Sequence, residues 1–128
     1  MLAFGMPMGP IELADTVGLD IAMAAGKSLA GGAEAPSCLM ARVDQGQLGK
    51  KTGQGFYVWE NGKAKKSAAA SVPEGLADRL VKPLIDRVQQ LVADGVVADA
   101  DLSVAGVIFG TGFAPFTGGP LNFKQLNN

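Results

Sequence analysis

Residues 4–20 read Phe-Gly-Met-Pro-Met-Gly-Pro-Ile-Glu-Leu-Ala-Asp-Thr-Val-Gly-Leu-Asp. The first seven are turn-forming and break any regular element. Pro10 then suits the first position of a helix, where its missing N–H would have had no partner. Ile11, Leu13, Ala14 and Val17 supply the apolar positions, and Gly18 is placed to end the helix. Glu12 and Asp15 fall where carboxylates complement the helix dipole. Asp20 can cap a second helix carrying Ile21, Ala24, Ala25 and Leu29, which ends near Gly31-Gly32. A third begins at Ser37 after Pro36 and stops at Gly46.

Working outward, Leu48-Gly49-Lys50-Lys51-Thr52-Gly53-Gln54-Gly55 is a glycine-punctuated loop. Phe56-Tyr57-Val58-Trp59 is the one segment that reads as extended, and Asn61-Gly62 marks a turn behind it. From Lys63 to about residue 73 the composition turns to Lys, Ala and Ser without apolar periodicity, which marks a connection. Residues 74–94 give the clearest helix: Leu76, Leu80, Leu84, Val88 and Leu91 form a stripe, with Pro83 expected to kink or break it. Asp99 or Asp101 can cap a short helix through Val104, Val107 and Ile108 that stops at Gly110. The chain reaches Asn128 as another helix begins. These elements predict an all-α fold with one short extended segment near 56–59. The domain boundaries are 1–62 for a first module, 63–73 for the linker and 74–128 for a second.

The later part repeats the opening. Ala114-Pro115-Phe116-Thr117-Gly118-Gly119-Pro120-Leu121 matches Met6-Pro7-Met8-Gly9-Pro10-Ile11 with a two-residue insertion, so a unit of roughly 110 residues recurs.

Composition removes several function classes. There is no histidine, and Cys38 is the only cysteine, which excludes Ser-His-Asp or Cys-His nucleophile activation and structural zinc. No internal disulfide can form. A net charge of −1 gives no electrostatic footprint for nucleic acid. No apolar run approaches the ~20 residues of a membrane span. A cytoplasmic protein is expected.

Each chemical candidate has a plainer alternative. Glu12 and Asp15, at i and i+3, can act as an acid–base pair, but two dipole-favourable carboxylates are the preferred reading. The 49–55 loop fails the phosphate-loop pattern, because Asp44 stands where the first glycine belongs and Lys51 where Ser or Thr belongs. Lys50 and Lys51 can meet a CoA phosphate, though a solvated basic loop is preferred. Trp59 and Tyr57 can stack on an adenine, though an edge-of-core role is preferred. Asp99 and Asp101 fail the calcium-loop spacing, with Val104 and Gly110 where Gly and Glu are required. Cys38 reads as a small core or helix-end residue.

Two stretches together carry a resemblance. Residues 4–20 resemble the "G-x-P-M-G-P-x-E-L-x-D-x-x-G-L-D" signature of 3-hydroxyacyl-CoA dehydrogenases, and Leu48 to Tyr57 resembles the family's "G-x-K-T-G-x-G-F-Y" ending. Residues 77–120 look like a second copy of the same C-terminal module, most plainly at Gly110-Thr111-Gly112-Phe113-Ala114-Pro115-Phe116-Thr117-Gly118-Gly119-Pro120. Two tandem copies resemble the multifunctional α subunits of fatty-acid oxidation complexes.

The resemblance implies a helical, 6-phosphogluconate dehydrogenase C-terminal-like fold and NAD-dependent oxidation of (S)-3-hydroxyacyl-CoA. NAD would be bound by a Rossmann domain outside this chain. The implied partners are the acyl-CoA substrate, the parent's Rossmann and hydratase domains, and a thiolase β subunit. The family's catalytic His–Glu pair is not in this chain, so no catalytic, cofactor-binding or metal residue is assigned to it. The family's aromatic substrate-wall position falls on Phe109, which lacks the hydroxyl of the tyrosine often found there. Ala114 replaces a common proline. The first module starts late and the second stops early, so the fragment alone is expected to be inactive and to self-associate. The rival reading is a non-catalytic helical interaction or oligomerisation module.

Overall fold

Five α-helices dominate the residues described in the computed structural model, 1–67 and 71–123, together with one two-stranded hairpin. The helix α1 spans Pro10–Val17, α2 Leu19–Leu29, α3 Ser37–Asp44, α4 Leu76–Ala93 and α5 Ala100–Thr111. The strands are β1, Val58–Glu60, and β2, Lys63–Lys65. The mostly helical fold expected from the sequence is therefore present. The chain divides into two compact units, one of Met8–Ala69 and one of Met1–Pro7 with Ala70–Asn128.

In the Met8–Ala69 unit, Pro10 is the first residue of α1, as its missing N–H predicts. Gly18 ends α1 and precedes α2 with φ +112, a conformation closed to most other residues. Asp20 was expected to cap α2; it lies instead in the first turn and pairs with Lys51, Nζ to Oδ1 at 2.7 Å. Leu19 is fully buried, and its N–H donates to the Leu48 carbonyl at 3.1 Å. The α3 helix follows Pro36 as anticipated.

The extended segment differs from expectation. The strand starts at Val58, because the N–H groups of Phe56 and Tyr57 are taken by a side chain and not by a strand. Its partner lies in the segment read as a connection: Glu60 pairs with Lys63 across Asn61-Gly62, both at positive φ. That dipeptide suits a tight type I′ hairpin turn.

In the other unit, Phe4, Val81, Phe113 and Ala114 form the core, with Ala77, Leu84, Ile85, Val107 and Ile108 packed against it. Phe4 meets Phe113 edge-to-face with centroids 5.6 Å apart, and Phe123 at 5.2 Å. Such pairs add to simple area burial. Pro83 was expected to kink or break α4, yet the helix is continuous through it. Its buried side is Ala77, Val81, Leu84, Ile85 and Val88, one residue round from the predicted stripe, leaving Leu80 48% exposed. Asp99 caps α5 by accepting from the Leu102 N–H at 2.8 Å, and Gly112 ends it, two residues beyond the expected stop at Gly110.

The proline repeats differ in local structure. Pro10 opens an α-helix, whereas Pro115 opens a single 3-10 turn, Pro115–Thr117. The helix expected to begin at the end of the sequence lies outside the described residues.

Candidate functional site

The most heavily engaged polar group is Asp15, which is fully buried near the C-terminal end of α1. Its Oδ1 accepts from the Phe56 N–H at 2.9 Å. Its Oδ2 accepts from the Tyr57 N–H at 2.9 Å and from the Trp59 indole N–H at 3.0 Å. Three donors around one carboxylate compensate the cost of burying it. The glycine loop is shaped to admit this carboxylate. A Cβ on Gly55 would meet the Asp15 carboxyl, and one on Gly49, at φ +95, would meet its backbone.

Arg42 braces the same loop. Its guanidinium donates to the Gly55 carbonyl at 2.7 Å and to Gln47 Oε1 at 3.0 Å, and lies 4.7 Å from the centroid of the Phe56 ring. Sequence reasoning passed over Arg42. Its signal was a basic residue in the last turn of a helix leading into a glycine loop.

This geometry decides between the readings offered for Glu12 and Asp15. Glu12 Oε2 is paired with Lys66 Nζ at 2.6 Å, and Asp15 is enclosed by donors, so the two carboxylates are spent separately and form no acid–base pair. The preferred alternative, two dipole carboxylates, is also too weak for Asp15, which is a buried tie between α1 and the loop. Trp59 is fixed by its indole hydrogen bond, and Lys50 Nζ lies 5.7 Å from its ring centroid. Cys38 is exposed at the start of α3, which matches its helix-end reading.

Lys51 is held by Asp20. The Lys51 ammonium, hydrogen-bonded to Asp20, keeps that carboxyl below its ordinary value, with burial acting in the opposite direction and the Ile21 N–H assisting. A depressed folded value means the ion pair contributes fully above the ordinary aspartate value of about 3.9 and is lost as pH falls through the lowered one. Replacement of Lys51 by alanine should move the Asp20 titration midpoint upward in carboxyl-detected NMR. An unmoved midpoint would show that Lys51 is not the cause.

Phe109 stands apart from this cluster. It lies near the end of α5 and is 88% exposed. From Leu102 to Thr111 that helix carries no charged residue, and Leu102 and Phe109 both face outward.

The family model for the 3-hydroxyacyl-CoA dehydrogenase C-terminal domain matches residues 1–59, the span holding α1 to α3 and the Asp15 cluster. Residues 1–59 belong to that family. Relatives extend the likeness along nearly the whole chain. A fatty acid oxidation complex subunit alpha of Shewanella sp. (strain MR-4) is 33% identical over 144 residues, covering 96% of this chain and 20% of the relative. The subunit alpha of Vibrio vulnificus (strain CMCP6) is 35% identical over 142 residues, covering 98% and 20%. That of Vibrio cholerae serotype O1 (strain ATCC 39541) is 32% identical, also covering 98% and 20%. The chain therefore spans about a fifth of the length of the curated relatives it matches.

The dehydrogenase C-terminal domain seen here does not fit a dinucleotide. Such a site needs parallel strands and a glycine-rich turn opening a helix. Among the described residues the sheet is a two-stranded antiparallel hairpin, and Gly49 and Gly55 are closed against Asp15. No helix among the described residues is long and apolar enough to cross a membrane.

Proposed function

We propose that this chain is the C-terminal helical part of an NAD-dependent (S)-3-hydroxyacyl-CoA dehydrogenase of fatty-acid β-oxidation. In this reading it supplies scaffold and one wall of the acyl-CoA site, and acts in the cytoplasm with the Rossmann and hydratase domains of a longer polypeptide and a thiolase β subunit. The similarity to complex α subunits along 96–98% of the chain carries the reading. The chemistry of the chain supports it: there is no histidine, and the buried carboxylate is consumed by structural hydrogen bonds. NAD would be held by the Rossmann domain of the longer protein. The two tandem modules, 1–62 and 74–128, are proposed as the scaffold halves.

Phe109 is the proposed substrate contact. A helix apolar on all sides normally lies inside a larger body, and the uncharged, outward α5 surface around Phe109 is what an acyl chain or a neighbouring domain would cover.

The purified chain should show no NAD reduction with 3-hydroxyacyl-CoA; turnover by the chain alone would overturn the reading. In the longer enzyme, Phe109→Ala should raise KM for long-chain thioesters by about tenfold, a loss of ~1.4 kcal/mol of binding. Unchanged long-chain kinetics would remove Phe109 from the site while leaving the scaffold reading intact.

A further inference from the structure

We infer that the cleft between α2 and α3 is a self-docking surface that takes the same face of a second copy of this chain about a twofold axis. The cleft, of about 590 Å³, is lined by Met23, Ala24 and Lys27 of α2, Ala33 and Glu34 of the following loop, and Met40 of α3. It lies wholly within the Met8–Ala69 unit. Its floor is apolar, and the α2 surface beyond it remains so: Ile21 and Leu29 are exposed, and Lys27 is the only charge between Asp20 and Glu34.

The two charged residues on the rim select the occupant. Elsewhere in the molecule Glu12, Asp20, Glu60 and Asp86 are all paired with lysines. Lys27 and Glu34 have no ion-pair or hydrogen-bond partner among the described residues. A ligand of one sign would gain at one residue and be repelled at the other. A twofold axis satisfies both, since in such an interface a contact from residue i to residue j is always accompanied by one from j to i. Lys27 then faces Glu34 of the second copy, and Glu34 faces Lys27 of the second copy. Ala24 lets two α2 helices approach closely. The unbranched thioethers of Met23 and Met40 can rearrange to fill the space left between the copies.

The test is a charge-reversal exchange in the 128-residue chain, read by sedimentation velocity with one variant fluorescently labelled. K27E and E34K each place like charges across the axis twice, so each should weaken self-association by about tenfold or more. An equimolar mixture of the two should recover dimers, because a K27E chain paired with an E34K chain has opposite charges at both contacts. Recovery in the mixture also shows that neither variant has lost its fold. Three results would overturn the inference: a parent chain that stays monomeric at all concentrations, a single reversal that sediments like the parent, or a mixture no more associated than its parts.

Discussion

Asp15→Ala is expected to unfold the Met8–Ala69 unit at a markedly lower temperature or denaturant concentration than the parent chain. The substitution leaves the Phe56 and Tyr57 N–H groups and the Trp59 indole N–H without their acceptor. Each buried donor left unpaired costs roughly 1–3 kcal/mol, so three exceed about 3 kcal/mol out of a domain stability of only 5–15. Asp15→Asn is the sharper variant. It keeps the shape but offers one oxygen where two are used, and it turns an amide NH2 toward a backbone donor. It should recover little of the loss. Trp59 is the only tryptophan, so its fluorescence reports this unit directly. An Asp15→Asn chain with the parent's midpoint and Trp59 emission would show that the three hydrogen bonds do not hold the loop.

Phe113→Ala should be comparably damaging in the other unit. Phe113 is fully buried against Phe4, and truncating such a ring costs about 3–5 kcal/mol in transfer and cavity terms together. The expected result is early loss of helical circular dichroism from α4 and α5, with Trp59 emission changing later. Phe113→Leu should recover more than half of the loss by refilling the volume. Equal midpoints for the parent and Phe113→Ala would remove Phe113 from the centre of that core.

The contrast between these two sites explains what could be read from the residues alone. Helix positions follow from local rules, and Pro10, Gly18, Pro36 and Asp99 punctuate the structure close to where those rules put them. The role of Asp15 is not local. Its donors lie 41, 42 and 44 residues away, and two are backbone N–H groups, which have no sequence signature. The i, i+3 spacing to Glu12 offered a local explanation, and nothing in the residues contradicted it. One clue existed: an indole N–H in a short extended segment needs an acceptor when it is covered, and Trp59 had none nearby in sequence. The stripe on α4 failed for a related reason. Periodicity offers Leu76-Leu80-Leu84 and Ala77-Val81-Ile85 almost equally, and only packing on Phe4 and Phe113 selects the second. Pro83, expected to interrupt the helix, forfeits one hydrogen bond on an exposed side while Val81 and Val88 remain anchored in the interior.

The unit that holds Phe4 is discontinuous: the chain leaves it at Pro7 and returns at Ala70. On the ribosome that arrangement imposes an order. Every hydrogen-bonding partner of Asp15 has been made by Trp59, so the interposed unit can close while synthesis continues. Phe4 must wait for Phe113, a delay on the order of ten seconds at about 5–20 residues per second. During that interval Met1, Phe4 and Met6 are an uncovered apolar stretch on a nascent chain, the kind of segment that holdase chaperones bind.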